Sequence, residues 1–211
     1  MTRGREPAIL GSTRPAQVGS GEIPLFPLNT VLFPGGPLPL RIFEPRYVDM
    51  VRNCMRDGAP FGVVLIRTGL EAGAVSSAAH VGTAARIVDF DQMPDGLLGI
   101  LCSGEQKFRV ESRRVQGDGL NIGTVTWLPP EASMPLPPQY VHLGQLLRKV
   151  LPQLGDLYRS LPARFDDAGW VSARLAEILP LSLPDKQECL EIDDPLARLE
   201  RLAPLIRVAA D

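Results

Sequence analysis

I-P-L-F-P-L-N-T-V-L-F-P-G-G-P-L-P-L-R-I-F-E-P-R-Y, residues 23–47, decides how this chain is read. Up to Phe43 the stretch mixes strand-like apolar pairs with five prolines. Proline cannot donate to a ladder, so short edge strands or a looped ribbon are expected rather than a central strand. Leu25, Leu28, Leu32, Phe33, Leu38, Leu40 and Phe43 are the apolar set that would close a barrel, each contributing about 1.5–3 kcal/mol on burial. Glu44-Pro45 then opens a helix, because proline suits the first turn and a carboxylate suits the positive end of the dipole. Tyr47, Val51 and Met55 share one face, Arg52 and Arg56 occupy the last turn, and Gly58 stops the helix.

Downstream of that helix the pattern changes to strands. F-G-V-V-L-I (61–66), V-G-T-A-A-R-I-V-D-F (81–90), L-L-G-I-L-C (97–102), K-F-R-V (107–110) and L-N-I-G-T-V-T-W (120–127) are separated by turn chemistry. Pro94-Asp95-Gly96 and Gly117-Asp118-Gly119 supply the positive φ that tight hairpins need. Short strands at this spacing predict a barrel or sandwich of mostly antiparallel pairs. The proline cluster at 129–138 reads as a linker. Beyond it, Leu143, Leu146, Leu147, Val150, Leu154, Leu157 and Tyr158 recur at helical spacing, with Pro152 breaking the run. Further helices are expected over 167–179 (burying Trp170), 183–192 and 194–208, the last with an Asp cap and a first-turn proline. Four segments result: an extension (1–21), a β subdomain (22–128), the linker (129–138) and a helical subdomain (139–211).

Composition narrows the function classes. Of 211 residues, 45% are hydrophobic and 22% charged, with net charge −2, so no global basic field exists to neutralise phosphates or hold an anionic membrane. No apolar stretch approaches the roughly 20 residues that span a bilayer. Three cysteines, Cys54, Cys102 and Cys189, fit thiols in a reducing compartment better than a disulfide framework. The cytoplasm is the expected location.

Chemistry-bearing motifs fail on inspection. Gly99 to Gly104 approaches a phosphate loop, but Glu105 stands where the lysine is needed and would repel phosphate. Gly117-x-Gly119 has Ile122 where a dinucleotide fingerprint needs its third glycine. His80, His142 and the cysteines share no metal-ligand spacing. A Ser103 and Lys107 nucleophile–base pair can be drawn, since a desolvated lysine activates serine, but a structural role for Lys107 is the simpler reading. No cofactor, metal or catalytic group is expected.

Residues 23–47, then Val81-Gly82-Thr83 with Arg86-Ile87, Asp95-Gly96, Gly104 with Lys107-Phe108, and Asp185-Lys186-Gln187 with Leu190 together resemble the N-terminal, substrate-binding domain of Lon proteases. Lys107 stands where that family carries Arg, exchanging a planar fork of donors for a point charge. The resemblance implies an α+β fold, a PUA-like pseudobarrel followed by a helical subdomain. It further implies recognition of unfolded or exposed polypeptide, or of a partner protein, without the ATPase and protease domains of the larger members. Arg41, Glu44, Arg46 and Tyr47, grouped around a proline-rich turn, and Trp127, beside the linker, are the candidate polypeptide-binding residues. A packing role competes for each: Glu44 at the helix start, Tyr47 against Val51, Arg46 with a carboxylate. The proline-rich segments also suggest strand addition as a binding mode. The alternative is RNA binding, known for PUA-like barrels in other families, with Arg109, Arg113 and Arg114 as its basic run and Glu105, Glu111 and Asp118 interleaved against it.

Overall fold

In the computed structural model, which describes residues 16–69 and 75–208, the proline-bearing strand β1 (Ser20–Leu28) lies inside a barrel. Its first half pairs antiparallel with β7 (Asn121–Trp127), and its second half pairs parallel with β3 (Phe61–Gly69). The halves overlap only at Leu25, so Pro24 (opposite Ile122) and Pro27 (opposite Val64) each meet one ladder rather than two. That division lets prolines sit in a barrel strand, and it corrects the expectation of edge pairing for this half of the ribbon. β5 (Val81–Gln92) pairs with β3, and β6 (Leu98–Val115) pairs with both β5 and β7, closing the ring β1-β7-β6-β5-β3. β2 (Pro37–Ile42) joins β6 alone and is the edge strand the prolines predicted. β4 (Val75–Ala78), absent from the sequence reading, joins β3.

β6 is one 18-residue strand where two were expected. Ser103-Gly104 looks like a break, yet Gly104 is glycine because the Phe33 carbonyl crosses directly over it, leaving no room for a Cβ. Gly35 N–H donates to Gly104 O and Gly104 N–H donates to Gly36 O, both at 2.8 Å, so the Pro-Gly-Gly turn is stitched to the middle of the strand.

α1 (Pro45–Asp57) lies on the β2-β6-β5 sheet and ends at Gly58, φ 61°. Tyr47, Met50, Val51 and Cys54 enter the core, whereas Met55, placed from sequence on the same helix face as Tyr47 and Val51, is 38% exposed, and Phe43, expected to close the barrel, is 61% exposed. The barrel interior is filled by Ile23, Leu25, Val64, Ala84, Phe108, Val125 and Trp127.

The helices follow the predicted order: α2 (Val141–Val150), a 3-10 turn over 151–154, α3 (Asp156–Arg159), α4 (Ala168–Ile178), α5 (Leu183–Glu191) and α6 (Pro195–Val208). Asp167 caps α4, accepting the Trp170 N–H at 2.7 Å, and Ser182 caps α5. The helical core is continuous with Val31, Phe33, Leu65, Ala79 and Val81 of the β region. The chain is thus α+β, and among the described residues no helix is long and apolar enough to cross a membrane.

Candidate functional site

Residues quoted for the resemblance hold the molecule together. Lys107, 3% exposed, donates to Leu190 O (3.1 Å) and Asp193 Oδ1 (2.7 Å) and lies 3.2 Å from Glu131. Those three acceptors use the three ammonium donors, so an arginine fork is not needed at this position. Glu131 in turn grips Arg198 with both oxygens, at 2.9 and 2.5 Å. Thr83 Oγ1 donates to Leu32 O at 2.6 Å, Gln187 Nε2 to Val81 O at 3.0 Å, and Lys186 Nζ to Glu177 O at 2.6 Å. Arg174, fully buried, is 2.8 Å from Glu177 and donates to Pro34 O at 3.0 Å. The Lys107, Glu131–Arg198, Thr83, Gln187 and Arg174–Pro34 contacts join segments distant in sequence, and the Lys107, Thr83, Arg174, Gln187 and Arg198 side chains that make them are buried. Lys107 therefore has no geometry for activating Ser103.

The five candidate binding residues divide. Arg41 is exposed and pairs with Asp95 of the β5–β6 hairpin. Arg46 lies 2.7 Å from Glu44 and donates to Gly119 O at 2.9 Å, clamping the β6–β7 turn over the start of α1. Its guanidinium stands 4.8 Å from the centre of the Tyr47 ring. Tyr47 is 2% exposed and stacked on Phe26 at 3.9 Å, and Trp127 is 8% exposed, edge-on to Phe108 at 6.0 Å. Both aromatics therefore pack in the interior, because their rings complete apolar clusters that the sheet alone leaves open. Arg41, Glu44, Arg46 and Tyr47 come together around the turn, while Trp127 belongs to the barrel interior. Of the basic run, Arg114 pairs with Glu22 at 3.0 Å.

Among the described residues, two depressions bear on binding. The larger, 320 Å³, is lined by Leu136, Val141, Phe165 and Arg148 among others, and the Arg148 guanidinium stands 4.4 Å from the centre of the Phe165 ring, over its apolar floor. The other, 190 Å³, is a groove between the C-terminal end of α1 (Cys54, Met55, Gly58, Ala59) and residues 86–90 of β5. Its volume is below that of small-molecule sites and suits one or two side chains. Met55 and Phe90, 38% and 46% exposed, flank it. Arg86 closes one end, paired with Glu105 and donating to Gly58 O at 2.9 Å. The sequence reading missed this groove, although Val88-Asp89-Phe90-Asp91 already alternates apolar and acidic residues as a half-covered strand does. Among the described residues no cluster of His, Cys, Asp and Glu is placed to hold a metal ion. The chemistry of the groove is apolar contact beside a strand backbone.

Comparison with known proteins adds the following. The model of the ATP-dependent protease La (LON) substrate-binding domain matches residues 22–208. The Lon protease of Treponema pallidum is 25% identical over 201 residues, covering 90% of this chain and 22% of that protein. Protein cereblon of Xenopus tropicalis is 31% identical over 134 residues, 62% of this chain and 29% of its own. The chain thus spans less than a third of the length of either relative. Among solved structures, the Lon N-terminal domain protein from Xanthomonas campestris is 41% identical with a TM-score of 0.73, over 87% of this chain and 98% of that one. The N-terminal domain of Mycobacterium avium complex Lon protease, 15% identical with a TM-score of 0.60, shares the fold.

Proposed function

This chain belongs to the ATP-dependent protease La (LON) substrate-binding domain family, and from that premise we propose that it is a non-catalytic module that binds unfolded or exposed polypeptide, serving as an adaptor or regulator in cytoplasmic protein quality control. The observation that carries the reading is the family match over residues 22–208, joined to a surface groove that offers apolar contact. Met55 and Phe90 supply the apolar contact, while Arg41, Glu44 and Arg46 form a polar rim around the neighbouring turn. Tyr47 supports Arg46 from beneath, and Trp127 shapes the barrel wall. Such a contact buries less than about 1,200 Å² and is transient.

Titration with a reduced, alkylated and therefore permanently unfolded protein tests it. Saturable binding is expected with a dissociation constant on the order of 10 µM, about −7 kcal/mol, and the same protein in its native state is expected not to compete. Absence of binding to the unfolded form defeats the proposal.

A further inference from the structure

Of the two depressions, the one on the helical side is the better built for a ligand. Val141, Gly144, Gln145 and Arg148 follow at i, i+3, i+4 and i+7, so one face of α2 supplies one wall. Leu136 and residues 165–166 supply the other. Those two segments are stitched together: Leu136 N–H donates to Asp166 O at 2.7 Å, Ala168 N–H to Met134 O at 2.8 Å, and Ser133 Oγ to Asp167 Oδ2 at 2.6 Å. Gly144 lets the walls meet, because a Cβ there would stand 2.4 Å from the Phe165 carbonyl oxygen and 3.1 Å from the Leu136 side chain. Trp170, edge-on to Phe165 at 5.1 Å, fixes that ring in place. The cavity is therefore shaped by contacts within the fold before any guest arrives.

Leu136, Val141 and Phe165 give the cavity an apolar floor, and its 320 Å³ reaches the size of sites that enclose a small organic group. Three polar side chains line it as well: Gln145, Arg148 and Asp166. Arg148 decides the sign of the guest. Its guanidinium stands 4.4 Å from the centre of the Phe165 ring, and among the described residues no carboxylate pairs with it. A ring attracts the cation through its quadrupole but offers no lone pair, so the fork of N–H donors stays open to an oxyanion. Asp166 lines the same cavity without pairing with Arg148, so a cation and an anion border the floor at separate places. Lys149 and Arg164, next in the chain to lining residues, also lack a carboxylate partner among the described residues, whereas Asp167 is engaged by Ser133 and the Trp170 N–H. The surroundings favour an anionic group.

A carboxylate for the guanidinium, an apolar side chain for the floor and an amide N–H for Asp166 occur together at one place on a polypeptide, its C-terminal residue. In mid-chain, an Asp or Glu carries its carboxylate on the very side chain that would have to fill the floor, and the next side chain of an extended segment points to the opposite side. Resting on the polypeptide-binding reading, we infer that this cavity captures the C-terminal end of a guest polypeptide. The terminal carboxylate lies on Arg148, a leucine-sized side chain covers Phe165 and Leu136, and the N–H of the terminal residue turns to Asp166. Gln145 offers its amide to the preceding peptide group. Capture of a chain end in this way is a recurring mode of peptide recognition.

Fluorescence anisotropy on the full chain tests this with a nonapeptide labelled at its N-terminus and ending in leucine, made once with a free C-terminal carboxylate and once with a C-terminal amide. The free acid is expected to bind about fivefold more tightly at low salt, as one partly exposed charge pair allows. Arg148→Gln abolishes that difference with an unchanged thermal melt, since Arg148 lies at the surface. Val141→Ser, also at the surface, weakens acid and amide alike by about fourfold, the worth of one buried methylene. The inference is overturned if acid and amide bind equally, or if the preference for the acid survives Arg148→Gln. Free leucine that displaces the labelled acid as well as unlabelled peptide does would also overturn it, since the guest would then be an amino acid and not a chain end. If the alkylated protein binds while the two peptides are not distinguished, capture of the chain end falls alone. If the parent binds neither alkylated protein nor peptide, the function proposed above falls with it.

Discussion

At the scale of single residues, burial dictates chemistry more than identity does. Cys54 and Cys102 lie between α1 and the sheet, and burial pushes their thiols up to about 11 and about 12, helped by the Asp57 charge for the first and by the neighbouring Cys54 for the second. Burial, with the Glu177 carboxylate 2.5 Å away, likewise raises the Tyr158 phenol. All three groups are neutral when protonated, so the folded chain holds protons that the unfolded chain releases. Their contribution to stability is complete below the ordinary thiol value of 9.0 and is lost as pH rises toward 11 and 12. Native protein treated with iodoacetamide at about pH 8.5 is therefore expected to keep Cys102 unmodified, whereas unfolded protein reacts at every thiol, because only the thiolate attacks. Mass spectrometry reads the difference, and rapid labelling of Cys102 in the native state would contradict the placement. The roles of Lys107 and Tyr47 were open from sequence for the same reason: nothing in a linear pattern says which way a side chain faces.

Elements were legible where their signals are local. Glu44-Pro45 through Gly58 and Asp194-Pro195 mark helix limits by proline, glycine and Asp-cap chemistry, and the structure places α1 and α6 accordingly, with Leu196 N–H donating to Asp194 Oδ1 at 3.0 Å. Strands were harder, since their limits depend on what lies beside them. Gly104 reads as a break in β6 but is a crossing point, where the Phe33 carbonyl passes too close for any side chain. Gly104→Ala is expected to destabilise the fold by about 2–4 kcal/mol through displaced backbone. Gly117→Ala, where a Cβ meets nothing within 4 Å, is the control, expected to change stability by less than about 0.5 kcal/mol. Urea denaturation compares them, and equal stabilities would refute the crossing. The groove was missed because it lies between α1 and β5, and neither segment contains it alone.

For the whole molecule, the β and helical regions are joined by buried charge as well as by apolar packing. Lys107 from β6 and Arg198 from α6 meet at Glu131, and the helical cluster takes in Phe33, Leu65 and Val81 from the β side. Removing one partner of such a buried set costs roughly 3–5 kcal/mol, so the two regions are expected to unfold as one. Trp127 reports on the barrel and Trp170, edge-on to Phe165 at 5.1 Å, on the helices. Single-tryptophan proteins made by Trp170→Phe and Trp127→Phe are expected to show coincident thermal transitions by fluorescence, and transitions separated by more than about 5 °C would show independent units. What the sequence determined by itself was the strand-then-helix order, because turn residues, caps and apolar periods act over a few neighbours, while the resemblance carried by residues 23–47 and the later motifs implied the family and its α+β fold. Only the tertiary structure decided that β1 serves two ladders, that the Phe33 carbonyl crosses Gly104, and that an apolar groove opens between α1 and β5. Those features arise from strands meeting across tens of residues, where hydrogen-bond parity and exposure are set by the partner and not by the segment.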